Sequence, residues 1–537
     1  MRRLAAVLAT VCVVATACSS GDPSDDGSAE QPQRQADPTR DSSPPKRPSD
    51  PNQQTGWGPT RREVADARLA VADMSVRELA GQVIVAAYSG TEAPVDLVER
   101  YHLGGVIVMT ENIASVRATA DAMRTLQDDV PRGWPLWLSV DQEGGIVQRV
   151  GEPMTQFPAY MTAGAATSRY PVRAAAAASG GELIRAGFTV VYAPDADVTT
   201  GPSDPTIGSR SAGSHPRRVG KTVLASLDGY ERSGIIPVVK HFPGHGSVPA
   251  DSHEVLPVQD ASLATLKQRD LRPFGAAIEA GASAIMISHI AVRHVDRGVP
   301  SSLSHKVVTG LLRRQLGFEG VTVTDALNMG AIVNTYGAGG AAVKALRAGV
   351  DVLLMPADVP AAIRAITSAV HNDRLPRERL EEAATRMIAL LLHQQTADSK
   401  GRPLGSSQKQ SLALSRAGIT VVDGPCRGAM VDGAVQPIGD SDAVAAFTDA
   451  ADAAGLSVGS GAVVDFVGYG DGSGAGDVVV TTDTPYALGD SQAGTARIAL
   501  YGNTPEAMRA LVDVLTGDRR APGRLPVPVS DVGRRGC

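Results

Sequence analysis

At 537 residues the chain is too long for one ordinary domain, and 43% hydrophobic with 20% charged residues is a globular composition. A formal net charge of −6 gives no basic field for nucleic acid, and 4% aromatic residues leave little surface for stacking bases, so nucleic-acid binding is excluded as the main activity.

The chain opens on Met1-Arg2-Arg3 followed by the apolar run LAAVLATVCVVATA. That run is too short to cross a bilayer comfortably and leads into small residues before a cysteine, the pattern of an export signal over residues 1–17. The segment VATAC resembles a bacterial lipobox and makes Cys18 the lipidated first mature residue, anchoring the protein to the outer face of the cytoplasmic membrane. Ordinary signal cleavage nearby is the alternative. Residues 18–62, rich in Pro, Ser, Asp and Gln, have almost nothing to bury and are expected to form a disordered tether.

Eight short apolar runs follow: QVIVAAY, GGVIVM, LWLSVD, FTVVYAPDAD, IIPVVKHF, SAIMISHI, GVTVTDA and VDVLLMP. They alternate with helical patterns such as ASVRATADAMRTLQDD and ASLATLKQRDLRPFGAAIEAG. Strands alternating with helices give a parallel sheet, and eight of them predict an α/β fold of the (β/α)8 TIM-like barrel type over residues 63–395. An open doubly wound sheet is the alternative, but AYSGTEAPVD after the first run is no phosphate-binding glycine loop. A polar linker spans 396–410. Residues 411–537, with the runs GITVV, AVVDFVGY, DVVVTT and RIALYG and the helical TPEAMRALVDVL, read as a smaller C-terminal α/β domain.

Polar residues gather at the ends of the barrel runs, where such barrels carry their sites: Asp141 and Glu143, Asp197, Lys240 and His241, His289, and Asp325. One acid at a strand end is more often a helix cap, but a succession at the same end points to a site. In KHFPGHGSVPADSH, His241 and His245 stand four apart, yet Pro243 and Gly244 forbid a helix between them and no Cys or Glu completes a ligand set. No metal and no cofactor is expected. Asp251 lies two residues before His253, close enough for a carboxylate to orient an imidazole, and Asp325 supplies a second carboxylate across the barrel mouth.

The segments VDQEGGIVQR, IGSRSAG, KHFPGHGSVPADSH and TVTDALNM resemble glycoside hydrolase family 3, in its bacterial β-N-acetylglucosaminidase branch. The resemblance implies a retaining glycosidase acting on terminal β-linked N-acetylglucosamine, with peptidoglycan fragments as the expected source. It casts Asp325 as nucleophile, His253 as general acid/base and Asp251 as its partner. It places Asp141, Arg149, Arg210, Lys240 and His241 around the sugar. Asp195, in YAPDAD, stands where the family usually has a hydrophobic residue and is given no role. A phosphorylase, a β-glucosidase of the same family, a catalytically dead sugar-binding protein and a scaffold acting through the C-terminal domain are the alternatives. Presence of both Asp325 and His253 argues against the dead protein. Cys426 and Cys537 are left as the pair for a disulfide, two free thiols being the alternative. No feature fixes an oligomeric state.

Overall fold

The computed structural model describes residues 50–252, 254–397, 401–533 and 535–537. The expected export signal, Cys18 and most of the expected tether therefore lie outside the described residues, as does His253.

The described chain starts at Asp50, so the last thirteen residues of the expected tether, 50–62, are among the described residues. Trp57 is buried, and Thr60 caps the helix Arg61–Ala72 through a reciprocal capping box with Glu63, so this stretch has both core and hydrogen bonds to hold it.

Eight strands make the first sheet: β1 Ile84–Ala86, β2 Gly105–Val108, β3 Trp137–Val140, β4 Val190–Val191, β5 Ile236–Phe242, β6 Ala284–Ile287, β7 Val321–Thr324 and β8 Leu353–Leu354. The order is β7-β6-β5-β4-β3-β2-β1-β8, all parallel. A bridge between Val323 and Val352 brings β8 back against β7, with amide bonds of 2.9 Å to Thr322 and from Thr324, and so completes a (β/α)8 TIM-like barrel. The strands are Val-, Ile- and Leu-rich and buried, as expected of a parallel sheet covered by helices.

Two local differences from the sequence pattern have clear causes. The run FTVVYAPDAD gives only a two-residue strand, and the ladder is interrupted around Pro194, which has no N–H; Asp195 then pairs with Lys240 in a single parallel bridge and Asp197 follows in a loop. The pattern ASLATLKQRDLRPFGAAIEAG forms two helices, Leu263–Gln268 and Leu271–Glu279, since Pro273 cannot bond to the Arg269 carbonyl one turn back.

The C-terminal part carries β9 Thr420–Asp423, β10 Val435–Gly439, β11 Ala462–Val467, β12 Ala475–Thr481 and β13 Gln492–Ala499, in the order β9-β13-β12-β11-β10. Only the β9–β13 pair is antiparallel. Its own apolar core includes Phe447, Phe466 and Leu511. A disulfide joins Cys426 to Cys537. Backbone bonds from Ala159 to Tyr501 (3.1 Å), Arg524 to Ala165 (3.0 Å) and Ser214 to Pro526 (3.2 Å) stitch this sheet domain to the barrel's rim loops.

Candidate active site

Lys240 and His241 are consecutive residues near the end of β5, on a backbone with a cis peptide between them. The Lys240 ammonium is 2% exposed and is held between Asp141 Oδ1 at 2.8 Å and Glu143 Oε1 at 2.5 Å. Burial lowers its proton affinity, but the two carboxylates outweigh that and keep it charged. Glu143 also receives both Nε and Nη2 of Arg210, each at 2.8 Å, in a two-pronged pair. Burial raises the Glu143 carboxyl, while Arg210 and Lys240 lower it further, leaving it well below the usual range. Glu143 thus fastens the two cations that face the barrel mouth.

The His241 ring lies between Arg210, whose Nη2 is 3.3 Å from Nε2, and Asp197, whose Oδ2 is 2.7 Å from Nδ1. A guanidinium can only donate, so Nε2 accepts and Nδ1 carries the proton toward Asp197. Burial pushes this imidazole down to about 4, so it is neutral at pH 7. Burial pushes Asp197 up to about 7, against the amide of His245 and the Asp195 side chain, which pull it down. Asp195 is 1% exposed; its Oδ1 accepts from the Asp197 amide at 2.9 Å. Its Oδ2 has no hydrogen-bond partner among the described residues, and burial beside Asp197 holds the group well above the usual carboxylate range.

Asp195, Asp197 and His241 bring ligand-type atoms within 4.8 Å of one another. A cation taking His241 Nδ1 would have to displace the proton and turn Nε2–H toward the Arg210 N–H groups. The hydrogen bonding therefore fits a fixed neutral imidazole better than a metal ligand.

Asp325 follows β7 and is half-buried; its amide donates to Ile287 at 2.8 Å and its Oδ1 accepts from the Ala326 amide at 2.8 Å. Burial alone would raise this carboxyl, but His289, His241, the Ala326 amide and His245 bring it below its ordinary value. His289 is itself fixed by Ser302 Oγ at 2.8 Å and the Ala326 carbonyl at 2.9 Å. The result is an ionised carboxylate at the barrel mouth.

Beyond Phe242 the chain leaves β5 and runs to Asp251 as a loop pinned at several points. Gly244 has φ +119°, and a Cβ there would sit 2.7 Å from that of Asp270. Asp270 accepts from Ser247 Oγ at 2.7 Å, and the Gln259 amide donates to the same hydroxyl at 2.6 Å. His245 Nε2 meets Ser252 Oγ at 2.9 Å, next to the half-buried Asp251. The loop thus presents Asp251 and Ser252 on a fixed frame. Arg149 joins through its amide, 3.3 Å from the Asp141 carbonyl, and its Nε is buried with no partner among the described residues.

Of the residues singled out from the sequence, Asp141, Arg210, Lys240 and His241 form one bonded network, and Asp325 faces it through the histidines. Arg149 adjoins the network through the backbone alone. Asp251 flanks it on the loop. His253 lies outside the described residues. Glu143, Asp197, His289 and His245, noticed in the sequence only as strand-end or spacing features, are the groups that orient the others.

A family model described as the N-terminal domain of glycosyl hydrolase family 3 matches residues 75–390. A protein named beta-hexosaminidase A from Pseudoalteromonas piscicida is 33% identical over 326 residues, covering 55% of this chain and 54% of its own length, so the chain spans about half of that relative. Beta-hexosaminidase LpqI of Mycobacterium tuberculosis is 30% identical over 343 residues, 62% of this chain and 87% of its own. The structure of a glycoside hydrolase family 3 beta-N-acetylglucosaminidase from Paenibacillus sp. str. FPU-7 superposes with TM-score 0.76 at 28% identity, covering 85% of this chain and 99% of that one.

Proposed function

Because the chain belongs to glycosyl hydrolase family 3, we propose that it is a retaining glycosidase that removes terminal β-linked N-acetylglucosamine from a saccharide. The observation that carries this reading is the ionised Asp325 facing the Lys240–Glu143–Arg210 network across the barrel mouth. Relatives named beta-hexosaminidase and beta-N-acetylglucosaminidase support the sugar.

In this mechanism Asp325 attacks the anomeric carbon while His253 gives its proton to the leaving oxygen, which produces a glycosyl-enzyme ester and a free alcohol. Water then attacks the anomeric carbon, His253 takes its proton, the bond from that carbon to the Asp325 oxygen breaks, and the carboxylate is released. Asp251 orients the His253 imidazole and stabilises its protonated form. An imidazole is neutral once it has given up its proton, so it adds no anion beside Asp325 in the intermediate. Asp141, Lys240, Arg210, Arg149 and the neutral His241 hold the sugar hydroxyls. Glu143 keeps the two buried cations in place, so the pocket is organised before substrate arrives.

Residues 63–395 act as the catalytic unit, 396–410 as a linker and 411–537 as a mainly structural domain. The same reading makes the protein an exported lipoprotein anchored through Cys18, with peptidoglycan fragments as its substrates. Release of a Cys18→Ala variant into the soluble fraction supports the anchor, and unchanged membrane association contradicts it.

A panel of nitrophenyl β-glycosides tests the activity. Turnover of the N-acetylglucosaminide well above the glucoside, unchanged by inorganic phosphate, is the expected result. Preference for the glucoside, or turnover that depends on phosphate, would replace the reading by a β-glucosidase or a phosphorylase.

A further inference from the structure

Away from the barrel mouth, the helix Pro216–Ser233 and the C-terminal segment enclose a cleft of about 1140 Å³. Six cationic side chains line it: Arg169, Arg217, Arg218, Lys221, Arg524 and Arg535. Among the described residues, no Asp or Glu side chain and no Phe, Tyr or Trp does. None of the six forms a salt bridge among the described residues. In a chain of net charge −6, that segregation of positive charge is not a consequence of composition.

The placement also runs against the stability of the helix. Arg217, Arg218 and Lys221 fall in the first two turns of Pro216–Ser233, whose first turn holds no acid. Cations there oppose the positive end of the helix dipole, which adds to the same field. Arg218 is fixed by bonds from Nη1 to the Gly164 carbonyl at 3.1 Å and the Arg524 carbonyl at 3.3 Å, which aims its remaining donors. Burial and the nearby charges of Arg535 and Arg524 lower its proton affinity, against Tyr501, which raises it, a sign of crowded positive charge. The Cys426–Cys537 disulfide ties down the segment that carries Arg535.

We propose that this cleft is a binding groove for a linear polymer that carries repeated phosphate groups. Five of the six cations are arginines, whose forked donors match phosphate oxygens. The volume exceeds that of an ordinary small-molecule pocket, about 300–1,000 Å³, which fits a chain segment better than a single anion. A concave groove suits a strand rather than a flat lipid surface, and the absence of aromatic residues disfavours stacked bases. The groove is separate from the glycosidase reading and stands or falls without it.

The experiment is titration of the full chain with inorganic polyphosphate. Binding is expected to weaken at least about tenfold between roughly 50 and 200 mM salt. Arg217→Glu/Lys221→Glu should weaken it at least tenfold, and Arg117→Glu/Arg364→Glu, the same charge change on exposed helices elsewhere, should leave it within twofold. Glycosidase turnover of both double variants should equal the parent's. Reduction of the disulfide should lower the affinity by releasing Arg535. No binding, or equal losses from the two double variants, overturns the proposal. Capture of polygalacturonate alone, or of phosphatidylglycerol vesicles but not of the soluble polymer, overturns it in favour of a carboxylate polymer or a membrane surface.

Discussion

His241 and Asp197 meet at 2.7 Å, and burial moves their proton affinities in opposite directions, the imidazole down to about 4 and the carboxyl up to about 7. Unfolded at pH 5 to 6, the pair holds close to one proton, on the imidazole. Folded, it still holds one, on the carboxyl. Folding therefore exchanges no net proton within this pair, and its contribution to stability is flat across that window.

Replacing His241 exposes the hidden half of that balance. In His241→Gln, folded Asp197 still binds a proton that unfolded Asp197 does not. Relative to the parent, stability should fall by about 1 kcal/mol per unit as pH rises from 5 to 6. Urea unfolding at three pH values in this window measures the slope. Parallel profiles for parent and variant would contradict the assignment.

Asp325→Asn removes the proposed nucleophile while keeping the Oδ1 bond to the Ala326 amide. Turnover of nitrophenyl N-acetylglucosaminide should drop by about four orders of magnitude or more with circular dichroism unchanged. Retention of more than a hundredth of the parent rate would remove Asp325 from that role.

His253→Ala should penalise substrates in proportion to the basicity of the leaving oxygen. An alkyl or sugar leaving group suffers most, and nitrophenol least. Equal losses for both classes would count against general acid catalysis by His253.

Glu143→Gln leaves Lys240 with Asp141 alone and Arg210 without its two-pronged partner. Stranding buried cations in this way should cost about 3–5 kcal/mol, read from chemical unfolding. A loss below about 1 kcal/mol would mean that the network relaxes around the change.

The barrel was legible because its strands are short β-branched runs separated by helical patterns, and five of the eight runs end on polar residues at the same end of the sheet. β10 was not, because Pro437 and Gly439 interrupt it; it survives as an edge strand, where a missing N–H costs no pairing. Asp141, Lys240, Arg210 and Asp325 could be picked out one by one. The role of Glu143 could not, since its partners are 67 and 97 residues away in sequence (210 − 143 and 240 − 143) and only the closed barrel brings them together. Asp195 read as a departure without a role; the structure makes it a buried carboxyl that bonds the Asp197 amide.

Gly244→Ala tests the loop frame. A methyl at φ +119° would press within 2.7 Å of the Asp270 Cβ and should shift the loop that carries Asp251 and Ser252. Turnover should fall at least tenfold, whereas Gly275→Ala, inside the helix Leu271–Glu279 with open space around it, should be silent or slightly stabilising. Equal behaviour of the two variants would show that the loop adapts.

The bond between Cys426 and Cys537 spans 111 positions and so encircles β10 to β13 and the helix Pro505–Leu515 in one covalent ring. A ring cut once is still one molecule. The exposed stretch Tyr469–Ser473 is a natural place for a protease to cut, and after such a cut both new ends remain joined through the sulfur bridge. The severed strands keep their local concentration and their partners. A nicked molecule would run as two fragments only under reducing conditions, and under oxidising ones it would keep its shape.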